Sequence, residues 1–264
     1  MSSKKNDYSD IISAIERVNK ENLLDIYVPS IGKPVKFTPL TVHHQKKIIE
    51  TALESVSLNP AHNSLLSSEI IADCCQDTTV SLFAIDRDPI MIGLRAQTLG
   101  TTATIQNTAG EDVKHDIKSH VDNFKNIKCP PGLLNEHEFT ESGITISIQA
   151  PTTTRDDTIN RNIIPTDRKD PGSKDDIKNI IGSAITYEYV KYIKYIKIDN
   201  TVVGFLDGDV KQLVSVVESL PMSISKRLIA EINKVKQFEY KFTQINSESG
   251  TLSIVTDARF YHSE

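Results

Sequence analysis

The stretch DRDPIMIGLRAQTLGTTATIQNTAGEDVKHDI, residues 86–117, changes periodicity once, and that change decides the fold class. Its first half is helical. Asp86 is a candidate cap, Ile90, Met91, Ile92 and Leu94 supply the apolar residues of a helix over 88–99, and Gly100 is placed to end it. Its second half alternates apolar and polar residues over 101–106 and again over 113–117, around a turn containing Gly110. A helix that runs into a β-hairpin points to an α+β chain, with helices interspersed with short antiparallel β-hairpins.

The same alternation extends both ways. Towards the N-terminus, a polar segment over 1–8 reads as disordered, and a short helix over 9–22 sets Ile11, Ile12, Ile15 and Val18 on one face. Strands over 23–28 and 35–37 form a hairpin around Ser30–Pro34. Thr41 can cap a helix from Val42 whose apolar face is Ile48, Ile49, Ala52, Leu53 and Val56. Pro60 breaks it, and a second helix over 64–75 turns Leu65, Leu66, Ile70, Ile71 and Cys74 inward. Towards the C-terminus, strands are expected over 121–127 and 144–148, separated by a long loop holding Pro130, Pro131 and Gly132. Residues 151–171 are polar and read as a short helix plus loop or as a linker. A helix over 174–184 and a strand-like run over 187–198 follow, the latter turning at Asp199–Asn200 into 201–205. Two helices come next, an amphipathic one over 209–220 and one that Pro221 starts, lined by Ile224, Leu228, Ile229, Ile232 and Val235. A hairpin of 238–245 with 252–255 ends the chain. The expected organisation is a polar tail and short helix over 1–22, a larger α+β domain over 23–150, a linker over 151–172, and a smaller α+β domain over 173–264.

Composition narrows the function. The chain has 264 residues, 38% of them hydrophobic and 25% charged, which suffices for a packed core built on Ile, Val and Leu in the absence of Trp. A net charge of −5 argues against a nucleic-acid binder. Basic residues gather at 33–47 and 191–197, and the second run interleaves Lys191, Lys194 and Lys197 with Tyr189, Tyr192 and Tyr195. It reads as an amphipathic element with lysines in water and tyrosines half-buried, the alternative being a nucleic-acid patch. Cys74, Cys75 and Cys129 make no disulfide framework and suit a reducing compartment. No apolar run approaches the length of a membrane span, and MSSKKNDYSD lacks the apolar core of a signal peptide, so a soluble intracellular chain is expected.

No motif for bond-breaking chemistry stands out. There is no Walker loop, dinucleotide fingerprint, Gly-x-Ser-x-Gly elbow, His-Glu-x-x-His helix or Cys-x-x-Cys pair. The adjacent His43 and His44 point about 100° apart on a helix and read as its solvated start. Asp207, Gly208 and Asp209 resemble a calcium loop only in passing, because Lys211 and Leu213 occupy later ligand positions; Asp209 reads better as a cap. No catalytic residue, cofactor, metal or small-molecule substrate is expected.

One order of segments goes further. Val28-Pro-Ser30 precedes a basic strand and Phe-Thr-Pro-Leu-Thr-Val (37–42), then Gln-Lys-Lys (45–47), Phe83, Asp86 and Gly-Leu-Arg-Ala-Gln-Thr-Leu-Gly (93–100). This resembles the baseplate hub subunit or hub-assembly family of T-even-type contractile-tailed phages, over roughly residues 24–260. Many members of that family carry Cys-x-x-Cys pairs in their hairpins. The corresponding hairpins here, Thr104–Lys114 and Tyr240–Leu252, have no cysteine, so packing must replace any metal. The resemblance implies a non-enzymatic component or chaperone of hub assembly. It would bind other tail proteins such as hub and tape-measure proteins, in the host cytoplasm during assembly or in the tail baseplate. Candidate interface residues are Arg95, Tyr189, Tyr192 and Lys194. Arg95 has a plainer expectation too, an ion pair with Asp86 or Asp88. The rival readings are a protein-binding adaptor with no tail role and an enzyme with an unrecognised site.

Overall fold

In the computed structural model, which describes residues 6–54, 60–163, 185–205, 210–247, 250–256 and 259–261, the 86–117 stretch folds as its periodicity requires. A 3-10 turn over Ala84–Asp86 opens directly into a helix, Arg87–Leu99, whose apolar residues are almost all buried. Gly100 ends it at φ 91°, a conformation that favours glycine. The chain then forms β3 (Thr102–Gln106) and β4 (Asp112–Asp116), paired antiparallel from Thr102 with Asp116 to Gln106 with Asp112.

The preceding elements are α1 (Asn6–Glu21), β1 (Leu24–Val28), β2 (Lys33–Phe37), α2 (Val42–Glu54) and α3 (Pro60–Cys74), which makes Arg87–Leu99 α4. After β4 come α5 (Lys118–Asn123), β5 (His137–Glu141), β6 (Ile144–Ile148), α6 (Thr153–Ile163), a helical segment over 185–190, β7 (Ile193–Ile198), β8 (Thr201–Gly204), α7 (Val210–Glu218), α8 (Met222–Thr243), β9 (Gln244–Ser247) and β10 (Gly250–Ser253). The architecture is α+β. β1 and β2 form a two-stranded hairpin, and two four-stranded antiparallel sheets run β4-β3-β10-β9 and β5-β6-β7-β8. In both larger sheets, strands from before residue 150 pair with strands from beyond residue 190. One continuous core of Ile, Val, Leu and Phe side chains joins the sheets to α3, α4 and α8.

Several expectations need correction. The second helix begins earlier than residue 64: Pro60 occupies the first position of α3, where its missing N–H is not needed. Residues 121–127 are not a strand but the end of α5 and a 3-10 turn. Asp116 Oδ1 accepts from Lys118 N at 2.9 Å and turns the chain, and a spacing of three brings Phe124 under Val121 into the core. Residues 238–243 continue α8, because the four-residue spacing of Phe238 and Phe242 stacks both rings edge-on, with Phe124 5.1 Å from Phe242. The strand expected from Tyr187 starts only at Ile193; Tyr187 and Val190, three apart, bury one face of a helical turn. The loop expected over 128–143 contains β5, whose sequence His-Glu-Phe-Thr-Glu offers a single apolar residue to a periodicity reading. The helix expected over 174–184 and the Asp207–Asp209 segment lie outside the described residues.

Candidate protein-binding surface

Among the described elements α1 carries the longest run of exposed large apolar side chains. Every described side chain from Tyr8 to Glu21 is exposed except Asn19, which is half-buried. Tyr8, Ile11, Ile12, Ile15 and Val18 lie between 50% and 77% exposed. Tyr8, Ile11, Ile15 and Val18 follow one another at intervals of three, four and three, the seam spacing at which one helix packs against another. The helix ends on Asn22, whose backbone N–H and side-chain amide both donate to Val18 O. A monomer rarely exposes such a contiguous apolar stripe unless something binds it.

The residues that carry the family resemblance do something different: they hold the scaffold. Asp86 is fully buried, and its Oδ1 accepts from Ser30 N at 2.8 Å while Oδ2 accepts from Ser30 Oγ at 2.6 Å and Phe83 N at 2.8 Å. The Pro-Ser turn and the distant Asp86 are thus one hydrogen-bonded clasp. Gly93 faces β1 so closely that a Cβ would lie 3.0 Å from Ile26 Cγ2. Gln97 donates to Asp25 O, and Thr98 Oγ1 accepts from Leu40 N.

Arg95 makes a second tie within the scaffold. Only 1% of it is exposed, so it does not reach the surface of this chain. Its expected pairing with Asp86 or Asp88 does not form. The guanidinium instead donates to three main-chain carbonyls, Phe260 O at 2.9 Å, Gly100 O and Thr102 O, and lies 5.3 Å from the Phe260 ring. Asp86 is occupied by Ser30, and Asp88 Oδ1 accepts from Thr256 Oγ1 at 2.8 Å. Arg95 therefore satisfies the open end of α4 and ties it to the C-terminal segment, which no local sequence signal announces.

Of the Lys/Tyr run, Tyr192 is buried, Tyr189 is half-buried, and Lys194 is exposed and paired with Glu136. Tyr195 donates to Glu138. Lys191 does not face water: its Nζ lies 3.0 Å from Asp156 Oδ1 and 2.9 Å from Glu188 Oε1. Asp156 in turn receives Arg87 Nη1 at 2.7 Å and Asn160 Nδ2 at 2.9 Å, and Arg87 Nη2 reaches Asp157 at 3.0 Å. Burial alone would raise the Asp156 carboxyl, but Lys191 and Arg87 outweigh it and hold the group below its ordinary range.

Beside this network lies a cleft of about 200 Å³ lined by Arg87, Asp88, Glu188, Lys191, Lys236 and Glu239, among others. Burial, and then the Asp88 charge, push Glu239 up to about 7. Burial also raises Asp88. Elsewhere, burial pushes the Cys74 thiol up to about 11, which leaves it unreactive at neutral pH. His44 departs from the expected solvated helix start: it is buried, with Nδ1 accepting from Thr41 N at 3.1 Å, and burial lowers its pKa. Among the described residues no group of three His, Cys, Asp or Glu side chains is placed to hold a metal, and no helix is long and apolar enough to cross a membrane.

Comparison with curated proteins and with solved structures gives no match. A family model described as T4 bacteriophage base plate protein matches residues 22–257, which include the Ser30–Asp86 clasp, the α4 motif and all three sheets. The chain therefore belongs to the T4 bacteriophage base plate protein family, whose place is the phage tail among other tail proteins.

Proposed function

We propose that the chain is a non-catalytic component or assembly factor of the baseplate hub, and that it docks onto other baseplate proteins through the apolar face of α1. The observation that carries this reading is the exposure of Ile11, Ile12, Ile15 and Val18 on one side of a helix. Elsewhere among the described residues the exposed large apolar side chains, such as Val42, Ile198, Val202 and Met222, are scattered over several elements, while most of the others join one core. α1 ends just before the matched family residues begin at 22, so the stripe lies outside the matched residues. The charged groups of the cleft serve the same reading: Arg87, Asp156, Lys191 and Glu188 hold one another in place.

The double substitution Ile12→Asp/Ile15→Asp tests it. Both side chains are exposed, so the melting temperature should stay within the range expected of surface changes, about 0.5 kcal/mol in stability. Complementation of a phage lacking the gene should fall at least about tenfold, the effect of losing about 1.4 kcal/mol of binding. Full complementation by the folded double variant would overturn the reading.

A further inference from the structure

The two larger sheets end in four outer strands, β4, β5, β8 and β9. β4 carries Asp112, Lys114 and Asp116, and β5 carries Glu138 and Glu141, charges of the kind that keep a further strand from adding. β9 reads Gln-Ile-Asn-Ser, with no charge, no proline and no break in its register with β10. β8 is uncharged as well, but β9 has a groove beside it.

That groove has a volume of about 680 Å³ and touches Gln244, Ile245 and Asn246 in succession. Successive residues of a strand point to opposite faces of its sheet, so a groove that meets three in a row runs along the strand's edge. The backbone of β9 is free on that side. Ile254 N donates to Thr243 O at 2.7 Å, which sets the alternation of the antiparallel ladder. Ile245 and Ser247 therefore bond across to β10, while the N–H and C=O of Asn246 and the C=O of Gln244 point outward. The Gln244 N–H is used by α8, donating to Tyr240 O. Among the described residues no strand pairs with this edge.

The opposite walls supply matching chemistry. Asn123 of α5 and Gln237 of α8 bring side-chain amides, which can both donate to and accept from a polypeptide backbone. His120 Nε2 donates to Phe242 O at 2.8 Å, and burial lowers its pKa, so it stands as a neutral wall. Among the described residues no carboxylate lines the groove and Lys241 is its one full positive charge, in a chain whose net charge is −5.

We propose that the outer edge of β9 takes an extended segment of another baseplate protein as an added strand. The segment bonds to Asn246 N–H and C=O and to Gln244 C=O, and it carries an acidic residue opposite Lys241. This rests on the reading of the chain as a protein-binding baseplate component, but it places a second contact away from α1.

The test uses the full chain during infection, with p-benzoylphenylalanine replacing Asn123 on the groove wall, and separately Val113 on β4 and Ile12 on α1. The groove position should yield an adduct that maps to one contiguous segment of a baseplate protein, and Val113 should not. Asn246→Ala, which keeps the N–H, should retain the adduct. Asn246→Pro, which removes it, should reduce the adduct at least about tenfold, with the fold checked by its melting temperature. If the proline variant does not fold, Lys241→Glu decides by the same reduction. No adduct from the groove while Ile12 still captures a baseplate protein would overturn this inference and leave the proposed function standing. An adduct that survives Asn246→Pro in folded protein, or Lys241→Glu, would overturn it too.

Discussion

Asp156→Ala is expected to lower the stability of the fold by about 3–5 kcal/mol, the range for removing one partner of a buried ion pair. Asp156 is 1% exposed and sits between two cations, Arg87 and Lys191, both largely buried. Its removal leaves Arg87 Nη1 without its acceptor and Lys191 with Glu188 alone. The cost arises from the orphaned charges rather than from a large intrinsic worth of the pair. By contrast Asp122→Ala, which breaks the exposed i,i+4 pair with Lys118, should change stability by no more than about 0.5 kcal/mol. Urea denaturation at neutral pH measures both. The pH dependence has a definite sign. The folded Asp156 carboxyl lies below its ordinary value of 3.8, so its stabilising contribution is present above that value and is lost as pH falls through the folded pKa. The penalty of Asp156→Ala should therefore shrink only in strong acid.

Glu239→Gln should do the reverse and stabilise the protein in mild alkali. Glu239 on α8 faces Asp88 of α4, with Glu188 and Lys191 on the preceding segment and Lys236 one turn away on α8. Burial and Asp88 raise its pKa from 4.5 to about 7. A carboxyl that holds its proton more tightly when folded stabilises the fold below pH 4.5 and loses that contribution as pH rises to about 7. At about 1.4 kcal/mol per unit, the loss amounts to at most about 3.5 kcal/mol. At pH 8 the glutamine variant should exceed the wild type by up to about that amount, and well below pH 4.5 the two should coincide. Thermal melts across this interval check it; a constant difference at all pH values would mean that Glu239 does not titrate there.

The elements that were readable from sequence are those whose burial follows one period. The α4–β3–β4 unit, the β1–β2 hairpin, β6 and the α7–α8 pair all show their core face as a simple spacing. The misread elements are set by contacts from far along the chain. Phe124 is helical because Phe242 stacks on it, and β5 is a strand because β6 pairs with it on one side, although its own residues are mostly polar. The site divides in the same way. The apolar face of α1 is visible in Ile11, Ile12, Ile15 and Val18, but its exposure is not, since a stripe that faces a core and one that faces a partner have the same spacing. From the sequence, Arg95 reads as an interface arginine or as a partner of Asp86 or Asp88. Its acceptors are backbone carbonyls, one of them 165 residues away, and a backbone carbonyl leaves no mark in a sequence.

Affinity purification of the tagged full chain from phage-infected cells, followed by quantitative mass spectrometry, tests most directly whether the chain works by binding its neighbours in the tail. Baseplate proteins should be recovered with it in abundance comparable to its own. Recovery of the chain alone, or with host metabolic enzymes only, would contradict that role.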